Sequence, residues 1–373
     1  MKNTKLNNPF VISGFAGKEY FCDRKSEVSV LKEAFLNNRN VTLVSLRRMG
    51  KSSLVRYLYD SLRRNADCIY ADIYSAVNFN EMLEIITKAI TDYYGLTVKD
   101  YLVKISGLLK ALQATVSFDD LTGKPQITLG MGRIQRNERD LETIFNFLED
   151  NDKRVLFTFD EFQTIRNFPE KNSEAILRTL IQNCKNINFI FSGSDKGMMQ
   201  SIFLDSTKPF YSSTQFLFLN EINTEEYSAF ITDKFESGKR KIKSEQINMI
   251  LTLCRRHTYY VQLVCNRLYA KNENCTDKLI LNVINEILSE NRPIYHNYKN
   301  LLTTGQWNLL KAVAKEEFVK EPLSSEFIKK HNLVSSSSVQ RSLKSLMKKS
   351  LIAYHNYNYI IYDVFFSLWL KSN

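Results

Sequence analysis

Short runs of consecutive apolar, β-branched and aromatic residues punctuate the first 220 positions. They are VTLVS (41–45), CIYADIY (68–74), VLFTF (155–159), NFIFSG up to Gly193, and FLFL (216–219). Unbroken apolarity, rather than alternation, marks a strand covered on both faces. Between the runs, helical periodicity predicts helices over 51–64, 79–94, 138–150 and 174–186. Strand and helix in repeated alternation give an α/β fold, a parallel sheet with helices on both sides. The interval from about 100 to 135 breaks the rhythm. There TVSFDD, LTGK and PQITLGM read as an inserted hairpin with Gly123 in its turn.

Past Leu219 the strand pattern stops. Segments 224–235, 244–255, 259–271 and 276–290 are helical in period, and Pro293 within NRPIYHNYKN reads as a boundary. Helices over 303–316, 324–331 and 335–348 follow, then a pair of strands over 351–362. That is the order of a winged helix-turn-helix, with Ser335 to Ser338 offering an N-cap for its third helix. The expected domains are therefore 1–220 (α/β), 221–295 (helical) and 296–373 (winged helix).

Composition changes this picture in one respect. The net charge of +11 is confined to the C-terminal third, where residues 238–373 hold 21 Lys and Arg against 10 Asp and Glu. The first 237 residues hold 30 of each. Such asymmetry points to an anionic partner for that part alone. No apolar stretch resembles a signal peptide or approaches the ~20 residues of a membrane helix, so a cytoplasmic protein without membrane contact is expected. The six scattered cysteines form no CxxC pair and read as reduced, core-filling thiols.

The chemistry lies in two stretches of the α/β part. In VTLVSLRRMGKSSLV (41–55) a buried strand runs through a short loop into a helix opening with Gly50, Lys51 and Ser52. This is the GxxxxGK[ST] phosphate-binding pattern, with Ser45 in place of the first glycine. Backbone N–H groups of Ser45, Arg47, Arg48, Met49, Gly50, Lys51, Ser52 and Ser53 would cradle phosphates at the positive end of the helix dipole. Lys51 would neutralise the β- and γ-phosphates and the Ser52 hydroxyl would ligate Mg²⁺. In VLFTFDEFQ (155–163) a buried strand ends in two carboxylates, where open α/β sheets bind ligands. Asp160 is placed to hold Mg²⁺ and Glu161 to polarise the attacking water. Ser192 and Ser194, flanking Gly193, are candidates for sensing the γ-phosphate. No NKxD loop for guanine is present, which favours ATP.

These residues resemble the archaeal-type ATPases of the STAND class, relatives of the AAA+ ATPases. Phe21, Arg24 and Glu27 match that family's FxxRxxE lead-in. The likeness continues through RRMGKSSL, FDEFQ, FSGS, KPFY and YYVQLVCNRLY to SSSSVQRSLKSLMKKSLI and YIIYDVFFSLWL. The resemblance implies a P-loop sheet of strand order 5-1-4-3-2, a helical lid and a winged helix. It also implies an adenine side formed by the lead-in, including Phe10, Val11, Phe21 and Arg24. Two departures are visible: RHTYYVQ (256–262) lacks the family's proline, and the arginine that follows PFYG in the family is missing, since Ser212 follows Tyr211.

In the winged helix, Arg341, Lys344, Lys348 and Lys349 belong to the third helix, opposite Val339, Leu343 and Leu346. Such a basic face suits DNA phosphates, or equally a solvated surface. Three functions follow: an ATP-hydrolysing switch acting on a protein partner or a homo-oligomer, a DNA-binding regulator tuned by ATP, and a nucleotide-binding scaffold without turnover.

Overall fold

The computed structural model describes residues 6–95, 99–118, 125–129 and 134–372. Residues 13–222 form one compact unit. In chain order it holds α1 (Lys25–Leu36), β1 (Val41–Val44), α2 (Lys51–Leu62), β2 (Ala66–Asp72) and α3 (Phe79–Tyr94). Then come α4 (Lys99–Ala111), β3 (Thr115–Phe118), β4 (Pro125–Thr128), α5 (Ile134–Glu149) and β5 (Arg154–Asp160). A 3-10 turn (Phe162–Asn167), α6 (Ser173–Asn183), β6 (Ile187–Gly193), α7 (Lys196–Phe203) and β7 (Gln215–Phe218) complete it.

The main sheet has the order β2-β5-β6-β1-β7, with every pair parallel. Counted along the sheet's own five strands this is 5-1-4-3-2, as the resemblance implies. Period-two alternation sorts the strand side chains into two cores. Ile69, Ala71, Phe157, Phe159, Phe189 and Phe191 face one core, with α3, α5 and α6. Cys68, Leu156, Ile190, Val41 and Leu43 face the other, with α1 and α2. Burial on both faces is why β5 and β6 read as unbroken apolar runs. Rings stack through the first core, Phe159 against Phe189 and Phe191 with centroids 6.2 and 5.9 Å apart.

The insertion differs from a bare hairpin. β3 and β4 do pair antiparallel, but α4 precedes them, burying Ile105 and Leu108 at helical spacing. The expected turn at Gly123 lies outside the described residues. Helices α1 and α7 also stand where the periodicity had predicted none.

Residues up to Ile12 and from Asn223 onward form the second unit. It comprises α8 (Thr224–Ser237), α9 (Ser244–Leu253), α10 (Thr258–Ala270), α11 (Asp277–Leu301), α12 (Thr304–Glu316), α13 (Ser325–Lys330) and α14 (Ser336–Lys348). The strands β8 (Ile352–His355) and β9 (Asn358–Ile361) and helix α15 (Val364–Ser372) close it. The stretches expected as lid and winged helix thus lie within one unit. Arg255 joins them, donating to the Ile361 carbonyl at 3.3 Å and the Ser367 hydroxyl at 2.8 Å, while Tyr260 meets Phe365 edge-on. Ser335 caps α14 through the Ser338 N–H, as its serine run suggests. β8 and β9 are joined through Asn356 and Tyr357, both at positive φ, the backbone of a tight hairpin turn.

Pro293 does not end a helix: it sits inside the 25-residue α11. Proline denies the residue four positions earlier a helical hydrogen bond. Here that residue, Ser289, is exposed like Pro293 itself, so water can take the freed carbonyl. α15 was likewise not predicted as a helix, because its apolar residues surround it on nearly all sides. Among the described residues no helix is long and apolar enough to cross a membrane. The six cysteines are free, and burial pushes the Cys68, Cys184 and Cys275 thiols up to about 12. Pro293→Ala should stabilise α11 by up to ~3 kcal/mol, the helix-interior difference between the two residues. A higher thermal midpoint by circular dichroism is the expected result.

Candidate nucleotide site

The C-terminal ends of β1, β5 and β6 bring the phosphate-loop, carboxylate and Ser194 candidates together. The loop after β1 enters α2 through Gly50, whose φ of 97° is a left-handed conformation suited to glycine. No side chain caps α2, so its first-turn N–H groups are available to an anion. Ser45 does not fall in the positive-φ region, unlike Arg48 at 62°. A glycine is therefore not required at Ser45 by backbone geometry. Its hydroxyl donates to the Leu46 carbonyl at 2.8 Å, and its N–H bonds the Gly193 carbonyl at 3.3 Å.

Lys51 is only 6% exposed. Burial pulls its pKa down, and the charges of Glu161 and Asp160 oppose that pull. The Ser52 hydroxyl donates to Asp160 Oδ2 at 3.0 Å, so the loop and the acidic strand end face each other directly. Two oxygens bound side by side to an octahedral Mg²⁺ at ~2.1 Å stand about 3 Å apart, which fits this pair. Among the described residues no group of three or more His, Cys, Asp or Glu could hold a metal. A magnesium ion that arrives with phosphates needs no such cluster.

Asp160 is 4% exposed and well supplied with donors. Besides Ser52, the Tyr70 hydroxyl bonds Oδ2, and the Glu161 N–H bonds Oδ1 at 3.0 Å. Burial first, then the Asp160 charge, raises the Tyr70 pKa well above its usual value, which keeps the phenol protonated as a donor. Asp72 pairs in register with Asp160 at the exposed end of β2. Its pKa is raised by desolvation first and then by the charges of Asp160 and Glu161. Excess negative charge beside a lysine is a setting that a cation relieves.

Ser194 donates to Glu161 Oε2 at 2.6 Å, and Arg47 Nε donates to Ser194 at 3.4 Å. Ser192 is buried in β6, its hydroxyl without a hydrogen-bond partner among the described residues. Ser53 donates to the Gly14 carbonyl at 3.2 Å, tying the lead-in to α2. Phe21 stacks on Tyr57 at 4.9 Å, and Arg24 pairs with Glu27 at 2.9 Å. Phe10 and Val11 belong to the second unit. There Phe10 packs among Phe230, Phe235 and Tyr269. Arg341, Lys344, Lys348 and Lys349 are exposed on or next to α14, opposite the buried Val339, Leu343 and Leu346. Sequence reasoning had not singled out Tyr70 or Gln163. Tyr70 stands in an apolar strand run, and Gln163 carries no spacing that assigns it a role.

Comparison with known proteins agrees with this architecture. Residues 293–372 match a family model described as "Probable winged helix domain". A Walker-type ATPase of Pyrococcus abyssi superposes over 97% of this chain and 99% of its own, with TM-score 0.67 at 15% identity. The chain has the fold of a P-loop ATPase ending in a winged helix. The Aeropyrum pernix ORC2 protein, solved in ADPNP–ADP complexes, covers 99% of this chain and 98% of its own (TM-score 0.59, 13% identity). The A. pernix ORC1 protein, solved in complex with DNA, covers 98% and 97% (TM-score 0.54, 11% identity). No curated protein matches the sequence. At these identities the likeness concerns the P-loop fold.

Removing the Tyr70 hydroxyl leaves Asp160 buried with one donor fewer. Tyr70→Phe should cost about 1.5–3 kcal/mol in the nucleotide-free protein, the range for hydrogen bonds to charged groups. Urea unfolding at neutral pH would measure it.

Proposed function

We propose that this chain is a Mg²⁺-dependent ATPase of the STAND kind, a switch in which nucleotide turnover changes the state of its helical and winged-helix part and of a protein partner. The observation that carries this reading is the 3.0 Å contact between Ser52 and Asp160, with Lys51 buried beside Asp160 and Glu161. Ser45, Arg47, Arg48, Met49, Gly50 and Ser53 contribute backbone around the phosphates, and Lys51 balances the β- and γ-phosphate charge. Ser52 and Asp160 would hold Mg²⁺, which, when bound, neutralises charge developing on the phosphoryl oxygens. Glu161 orients the attacking water and accepts its proton, and Ser194 reports the γ-phosphate. Ser45 gives no reason to read the loop as disabled, which favours hydrolysis over a scaffold.

Lys51→Ala should weaken ATP binding roughly 10- to 100-fold, since hydrogen bonds to a charged group are worth ~1.5–3 kcal/mol each. Glu161→Gln should keep ATP affinity and lower phosphate release by about 10²- to 10⁴-fold. Fluorescent-nucleotide titration and a phosphate-release assay read the two effects. Unchanged turnover in Lys51→Ala would sink the proposal.

A second reading, DNA binding tuned by ATP, rests on the exposed basic residues of α14 within a matched winged helix. The solved ORC1 relative in complex with DNA supports it. Anisotropy with a labelled duplex should show affinity falling steeply between 50 and 200 mM salt, with a log–log slope of about −0.9 per phosphate neutralised. A flat salt response would remove this reading.

A further inference from the structure

Gln163 lies in the 3-10 turn after β5, two residues past Glu161, and is 7% exposed. Its side-chain Nε2 donates to Glu161 Oε2 at 2.5 Å and lies 3.4 Å from Ser194 Oγ. Ser194 donates to the same Oε2 at 2.6 Å. Both donors therefore address one oxygen of the carboxylate and leave Oε1 as the oxygen open to a water. The amide orientation follows from chemistry. Turned the other way, Gln163 would present its carbonyl to a carboxylate, acceptor against acceptor.

The surroundings hold Gln163 in that place. Among the described residues its Oε1 is buried without a hydrogen-bond partner, a cost accepted where the other end of the amide makes a charged hydrogen bond. Gly193 makes room for it: a Cβ there would come within 2.6 Å of Gln163 Oε1 and 2.5 Å of Met199 Cγ. The neighbours Phe162 and Ile165 are buried and anchor the turn.

We infer that Gln163 is the positioning residue of Glu161: it fixes the carboxylate through Oε2 and so presents Oε1 to the water that attacks the γ-phosphate. The inference rests on the ATPase reading above. Gln163 acts on hydrolysis through Glu161 and does not touch ATP, so its loss should separate turnover from binding. It also places Ser194 in two roles, since Arg47 reaches the same hydroxyl from the phosphate loop.

The test compares wild type, Gln163→Leu, Glu161→Gln and the double variant in single-turnover hydrolysis, with ATP affinity measured for each. Gln163→Leu, similar in size and unable to donate, should lower kcat roughly 10- to 100-fold, as a displaced catalytic group does, with Kd for ATP unchanged. In the Glu161→Gln background the same change should have no further effect, because the group it positions is already lost. Gln163→Glu, which sets like charge against Glu161, should fall at least as far. Three results would overturn the inference: an unaltered kcat in Gln163→Leu, ATP affinity and kcat lost together, or full additivity in the double variant. A Glu161→Gln protein that hydrolyses ATP normally would instead overturn the ATPase reading itself.

Discussion

A lysine held at 6% exposure loses most of its hydration, which disfavours its charge, and the field of facing carboxylates opposes that loss. Glu161 and Asp160 supply that field for Lys51, and the other features of the site can be derived from the arrangement. Donors from Ser52, Tyr70 and the Glu161 N–H converge on the Asp160 carboxylate. The acids come from the end of β5, which the order β2-β5-β6-β1-β7 sets one strand away from β1, with β6 lying between.

Much of this frame was legible in the sequence because buried parallel strands leave a strong trace. Phe157, Phe159, Phe189 and Phe191 must be apolar on one face, and Leu156 and Ile190 on the other, so the runs are continuous and their polar ends stand out. Lys51, Ser52, Asp160 and Glu161 are visible for that reason. Tyr70 and Gln163 are not, since each acts by reaching sideways to a neighbouring element. Tyr70 works across the β2–β5 pairing, and Gln163 works between the end of β5 and the end of β6. Register and turn geometry, which determine such contacts, are not encoded by residue type. At Pro293 a helix runs on through a residue that usually ends one, because the freed carbonyl falls on the solvent side.

The second unit shows how tertiary packing can reassign sequence neighbours. Phe10 and Phe21 are eleven positions apart, yet Phe10 fills an aromatic pocket among α8 and α10 while Phe21 stacks on α2. Asn8 and Asn266 secure the first arrangement. Asn8 donates to the Asn266 carbonyl at 2.9 Å, and Asn266 donates to the Phe10 carbonyl at 2.7 Å. The lead-in is thus shared between the two units, with the division between Ile12 and Ser13. Arg255 has a comparable role farther along, binding the α9–α10 turn to β9 and α15.

Glu161 has a φ of 54°, a left-handed conformation that a non-glycine residue holds at a cost of about 1–3 kcal/mol. Simple continuation of β5 would alternate side chains and send Asp160 and Glu161 to opposite faces of the sheet. The turn at Glu161 breaks that alternation, so both carboxylates act on Lys51 and Glu161 comes within reach of Ser194 and Gln163. Glycine would relax the backbone at this position but could not supply the carboxylate. The strain is therefore best understood as the cost of placing two adjacent acids on one side of a strand end, with the buried Phe162 and Ile165 of the following turn resisting its release.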